Sequence, residues 1–200
     1  MLADDPRRLV PRLLDVIEQD VAPLTRAGVA RGNKIFGAAV LLKQDGRLVI
    51  AGTNEETACP LWHGEISTIR RLYELPASER PAASDCLFLS THEPCSLCLS
   101  AITWAGFDNF HYLFSYEDSR DEFAIPHDLR ILEEVFGCRN GAYHAENSYW
   151  RGRSLVAEIA FCDEPERADL HRRVEHLRNL YSELSATYQA QKAESEIPLA

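Results

Sequence analysis

The chain has 200 residues, 46% of them hydrophobic, and a formal net charge of −10, which suits one domain with an ordinary core and disfavours nucleic acid as a partner. The opening residues MLADDPRR carry charge and no apolar run, and no stretch is long enough to span a bilayer, so a soluble, cytoplasmic protein is expected, with neither secretory signal nor membrane anchor. In that setting the six cysteines read as reduced thiols rather than a disulfide framework.

Val10, Leu13, Leu14, Ile17 and Val21 fall at helical spacing and predict an amphipathic helix over about 10–22, with Pro11 in its first turn. Two apolar runs then flank Asp45-Gly46, which predicts a hairpin with strands at about 36–43 and 48–53. A helix is expected from about His63 to Leu75, ahead of Pro76. CLFLS, from Cys86 to Ser90, reads as a buried strand. Pro94 marks the start of a helix that stops at Gly106, and FHYLFS, from Phe110 to Ser115, reads as the next strand. HDLRILEEVFG, from His127 to Gly137, predicts another helix. Residues 138–152 read as irregular, and 154–161 fit helix or strand. From Pro165 to about Lys192 the pattern is helical again, with Leu170, Val174, Leu177, Tyr181, Leu184 and Tyr188 alternating steps of four and three. That seam packs on its own domain or on a second subunit. The order of elements implies an α/β layered domain with parallel strand pairs wherever a helix intervenes.

Two short stretches carry the chemistry. In THEPCSLC, Cys95 and Cys98 have a spacing common among zinc ligands and fall at a helix start, whose positive end favours thiolate. In CPLWHGEIST, His63 also opens a helix. Two facing helix starts would deliver three ligands to one Zn²⁺ and leave the fourth tetrahedral position for water. Glu65 lies about 200° from His63 on a regular helix, but in the first turn both side chains can approach one centre, and its carboxylate would shuttle a proton. The competing reading adds Cys59, four residues before His63, as a fourth ligand and makes the centre a closed structural zinc site.

The pair His63-Gly64-Glu65 and Pro94-Cys95-Ser96-Leu97-Cys98 resembles the H-x-E … P-C-x-x-C signature of the zinc-dependent cytidine/deoxycytidylate deaminase superfamily, over roughly residues 30–120. The resemblance implies a three-layer α-β-α fold on a central mixed five-stranded sheet. Residues 1–150 then read as the deaminase domain, and 151–200 as a helical extension packed on the domain or on a partner subunit. It implies one Zn²⁺ per chain held by His63, Cys95 and Cys98, with Glu65 as proton shuttle for attack of zinc-bound hydroxide and release of ammonia. Gly52-Thr53-Asn54 resembles the family's G-x-N, which makes Asn54 a substrate ligand. Phe36 corresponds to a pocket-lining aromatic, the backbone N–H groups of Gly64 and Cys95 to donors toward the zinc-bound oxygen, and Pro94 to the turn beside them. Trp62 and Trp104 are candidate walls for a flat ring. Glu93-Pro94-Cys95 tilts the likeness toward the nucleobase and nucleoside branch. The sequence departs from the family at Gly64, where relatives often have alanine, and at Cys59-Pro60, where many nucleobase-type members have Asp-Pro. The implied function is hydrolytic deamination of a cytosine- or guanine-like base or nucleoside by a homodimer. The alternatives are an inactive zinc-stabilised scaffold of the same fold and an enzyme like the tRNA adenosine deaminases. His92 reads as exposed or at the pocket rim, and His111 as a satisfied core histidine. His127, His144, His171 and His176 read as surface groups, and Cys86, Cys138 and Cys162 as small core residues.

Overall fold

A computed structural model describes residues 1–200, apart from the side chain of residue 194. Its centre is a five-stranded sheet in the order β2-β1-β3-β4-β5, formed by β1 (Gly37–Leu42), β2 (Leu48–Thr53), β3 (Cys86–His92), β4 (Asn109–Phe114) and β5 (Arg151–Ser154). The β1–β2 hairpin is antiparallel, and its turn is made by the residues expected. Gly46 adopts φ +74°, and Asp45 Oδ1 accepts the Arg47 N–H at 2.9 Å. β1 also runs antiparallel to β3, whereas β3, β4 and β5 are mutually parallel, as connections through helices require.

Alternation along the strands sends their side chains into two helical layers. Ala39, Leu41, Leu87, Leu89 and Leu113 face one layer. That layer is built from α1 (Pro6–Val16), α2 (Ala22–Val29), α7 (Leu155–Glu158) and the long α8 (Glu166–Gln191). Ala38, Val40, Phe88 and Phe110 face the other, covered by α3 (Gly64–Glu74) and α4 (Ser96–Trp104). The short α5 (Tyr116–Asp121) and α6 (His127–Glu134) follow β4. This is the three-layer α-β-α architecture with a mixed sheet. No helix among the described residues is long and apolar enough to cross a membrane.

Two local expectations change, and one pair of alternatives narrows. The first helix begins at Pro6, not near residue 10, because Asp5 caps it by accepting the Arg7 N–H at 3.2 Å, and aspartate followed by proline is a strong start. Pro11 therefore lies inside the helix rather than in its first turn. The ladder then widens into a π-turn over Ile17–Val21 just before Pro23, which has no N–H to continue it. Second, the fifth strand is Arg151–Ser154, so the sheet runs past residue 150. It escaped the pattern because it is a polar edge strand with one neighbour. Third, the α8 seam of Leu170, Val174, Leu177, Tyr181, Leu184 and Tyr188 is buried in its own chain. Arg173 ties it down by donating to Glu18 and Asp15 at 2.7–3.0 Å.

Candidate metal centre and active site

The metal cluster sits where the N-termini of α3 and α4 meet. His63 is the N-cap of α3 and Cys95 the N-cap of α4, both with extended ψ near 160–170°, so their side chains leave the helices at the mouth. Cys98 lies in the first turn of α4. His63 Nδ1 is 3.4 Å from Cys95 Sγ and 3.7 Å from Cys98 Sγ, and the two sulfurs are 3.6 Å apart. A tetrahedral zinc with bonds of about 2.3 Å to sulfur and about 2.0 Å to nitrogen sets edges of about 3.8 Å and about 3.5 Å. The triangle fits that ion. Its electrostatics agree. Burial works against a charged His63, yet the Cys95 sulfur on its ring, with Glu56 and Glu65 nearby, carries it up to about 9. The sulfur–sulfur hydrogen bond between Cys95 and Cys98 holds Cys95 well below the usual thiol range. These donors favour positive charge between them. The clustered ligand atoms come from His63, Cys95 and Cys98; Cys59 is not among them, which argues against the closed four-ligand site.

Glu65 lies beside this triangle. It is 4% exposed, its Oε1 accepts from Ser90 Oγ at 2.8 Å, and its Oε2 accepts from Cys98 Sγ at 3.2 Å. Burial first, then the Cys95 charge, pushes its carboxyl above the usual range, as a group that must take and return protons requires. Gly64 is what lets the turn sit so deep. A Cβ there would lie 2.7 Å from the Phe36 carbonyl oxygen and 2.9 Å from Gly37 Cα, so glycine at this position is a packing requirement of this chain.

A cavity of about 250 Å³ opens over His63 and Cys95. Its walls include Lys34, Glu56, Leu61, Leu97, Asp128 and Ile131, and Ile197, Pro198 and Leu199 also line it. Desolvation there, and the Cys95 charge, push the Asp128 carboxyl well above the usual range. Asn54, Phe36, Pro94, Trp62 and Trp104 do not line this cavity. Asn54 is fully buried, and both ends of its amide are bonded to Glu56. Phe36 is buried edge-on against His92, with ring centroids 4.8 Å apart. The Pro94 carbonyl accepts from Tyr116 Oη. Trp62 lies under the Arg70 guanidinium, 4.3 Å from its ring centroid. Trp104 is 90% exposed because it closes the far end of α4, about 13 Å of helix rise from Cys95. His92 is not at the rim. It is 1% exposed, ringed by Phe36, Phe114, Phe123 and Tyr181, and burial pushes it down to about 3. His127 lines the cavity, and Cys138 is only half-buried.

Sequence reasoning missed Lys34, Glu56 and Asp128. Glu56 accepts from Lys34 Nζ at 3.0 Å, with both side chains almost fully buried, and its Oε1 lies 3.7 Å from His63 Nε2. The one signal available was a lysine and a glutamate placed close to otherwise apolar segments.

Fold and ligand triangle together are those of a zinc-binding α/β domain. Residues 18–114 match the family described as the cytidine and deoxycytidylate deaminase zinc-binding region, and through that region the chain is similar to the zinc-dependent deaminases. A guanine deaminase of Bacillus subtilis (strain 168) is 30% identical over 88 residues, covering 43% of this chain and 54% of that protein. The chain thus spans about half the length of that curated relative. Among solved structures, a guanine deaminase from Nitrosomonas europaea superposes with a TM-score of 0.50 at 22% identity, covering 83% of this chain and 84% of that one. A mutant protein crystallised with 8-azaguanine gives a TM-score of 0.51 at 20% identity, covering 92% and 84%. These two likenesses establish the fold.

Proposed function

We propose that the chain is a zinc-dependent hydrolytic deaminase of a nucleobase or nucleoside, with a guanine-like ring favoured. The observation that carries this is the His63–Cys95–Cys98 triangle with the Glu65 carboxyl 3.2 Å from Cys98 Sγ. Bound there, zinc supplies a Lewis acid that makes water nucleophilic at neutral pH. The remaining work falls to the chain. Glu65, aligned by Ser90, passes one proton of the water to the ring nitrogen and then carries the remaining hydroxyl proton to the departing amine. The apolar side chains of Leu61, Leu97, Ile131 and Leu199 wall the cavity, exclude bulk water and offer faces to a flat ring. Water adds to the amino-bearing carbon, and ammonia leaves as the oxo ring forms. The guanine deaminase relative supports a purine ring, and a cavity of about 250 Å³ suits a base better than a folded RNA. The test is ammonia release by the zinc-loaded protein from guanine, cytosine, cytidine and adenine. Release from guanine is expected, and release from none of the four would overturn the reading.

The free cysteines fit a reducing, cytoplasmic setting. Leu97 and Trp104, one heptad apart on α4, are both exposed, Trp104 almost entirely, and this apolar stripe supports a homodimer through α4. Trp104→Glu is expected to turn a dimer into a monomer in sedimentation velocity, and a wild-type monomer would refute the dimer.

A further inference from the structure

The cavity wall holds a polar device that the deaminase reading does not use. Two loops, residues 32–35 before β1 and 54–57 after β2, are stapled side by side. Asn33 Oδ1 accepts from the Thr57 N–H and hydroxyl, both at 2.9 Å, and Lys34 Nζ donates to Glu56 Oε1 at 3.0 Å. Asn54 is spent inside this staple. Its NH₂ donates to Glu56 Oε2, and its carbonyl oxygen accepts the Glu56 N–H at 3.1 Å. Turning Asn54 toward a ligand would break both bonds and strip Glu56, only 3% exposed, of a donor it needs.

Lys34 is differently placed. Its side chain is 6% exposed and it lines the cavity beside His63, Asp128 and Leu61. An ammonium has three N–H donors and no acceptor. Glu56 takes one, and no second acceptor for Nζ is recorded among the described side chains. A buried ammonium with donors to spare is costly, and an acceptor carried in by a ligand would satisfy it. Glu56 already balances its charge. The device therefore suits a neutral acceptor better than a phosphate or carboxylate.

We propose that Lys34, held in place by Glu56, donates to an exocyclic oxygen on the substrate ring and so sets which amino-bearing rings the site accepts. This rests on the deaminase reading of the same site. An amino group in place of that oxygen would set donors against donors, and a site built to hydrogen-bond one group rejects the analogue that lacks it.

Guanine and 2,6-diaminopurine share the 2-amino group and differ at C6, which bears oxygen in one and an amino group in the other, and at the adjoining N1, which is protonated only in guanine. Calorimetric Kd and ammonia release are measured for both on zinc-loaded protein. The wild type is expected to bind guanine at least about tenfold more tightly. Lys34→Met is expected to weaken guanine about tenfold or more while leaving 2,6-diaminopurine within about threefold, and Lys34→Arg to retain the preference. If Lys34→Met fails to fold because Glu56 is left without its cation, the double variant Lys34→Met with Glu56→Gln carries the same comparison. A preference that survives loss of Lys34, or a wild type with no preference or no binding, overturns the proposal and leaves the pair as a mere staple between loops. Selective binding without ammonia release overturns the deaminase reading and leaves the role of Lys34 standing. Release from both rings at equal kcat/KM does the reverse.

Discussion

His63 and His111 stand in opposite settings of one sheet, each beside a buried glutamate. His111 Nδ1 is 3.1 Å from Glu158 Oε2, with side chains 6% and 8% exposed. His63 Nε2 is 3.7 Å from a Glu56 oxygen. Around His111 the partner set ends with that one carboxylate and a distant Arg153, 4.0 Å from Glu158. Around His63 two sulfurs converge on the other ring nitrogen at 3.4 and 3.7 Å. Burial and an acid do not make a metal ligand. Soft donors brought to one point by two helix starts do.

The sharpest way to break this contrast is Cys98→Ala. It is expected to lose zinc, measured as metal per chain after dialysis, and with it essentially all turnover, because a two-ligand remnant binds weakly and metal binding is coupled to folding. Retained zinc would remove Cys98 from the ligand set. Glu65→Gln is expected to keep one zinc per chain and lose turnover by roughly 10²–10⁴-fold; normal turnover would end its role as shuttle. A third buried histidine sharpens the comparison through acid. His92 is held down to about 3 by burial, against about 6.5 in an unfolded chain. Between those values the unfolded state binds the extra proton, so the contribution of His92 is whole above about pH 6.5 and shrinks as pH falls toward 3, by up to roughly 5 kcal/mol. Urea melts between pH 7 and 4 should show a shallower acid loss in His92→Phe, and parallel curves would show that His92 is not the acid sensor. The smallest effect belongs to the far pair. Glu158→Gln is expected to cost roughly 1–3 kcal/mol in urea unfolding and to leave zinc content and kcat within about twofold. A loss of zinc there would mean the two ends are not independent.

The chemistry was legible where residue type and spacing are themselves the mechanism. H-x-E and P-C-x-x-C name donor atoms, and each sits at a helix start that the pattern also places. Asp45-Gly46 gave the hairpin for the same reason. What escaped was set by space rather than spacing. Lys34 and Glu56 lie 22 residues apart and meet only because two loops fold side by side, and no periodicity announces such a pair. Asp128 was seen as part of a helix, but its placement against the Cys95 charge comes from how α6 docks. His92 follows a buried apolar run directly and reads as exposed or at the pocket rim, whereas β3 runs through it and buries it. Trp62 and Trp104 offer flat faces, but one is covered by Arg70 and the other lies exposed at the far end of α4.

The partnership of α8 with α1 has a consequence for biosynthesis. Arg173 meets Asp15 and Glu18 across 155–158 residues of chain, and Tyr181 and Leu177 seal the same apolar layer as Leu13 and Ile17. While the ribosome is still extending the chain, that layer of the nascent protein has no lid. It stays sticky until Glu166–Gln191 has left the exit tunnel, which makes stalled or prematurely terminated translation products of this gene natural clients for a chaperone.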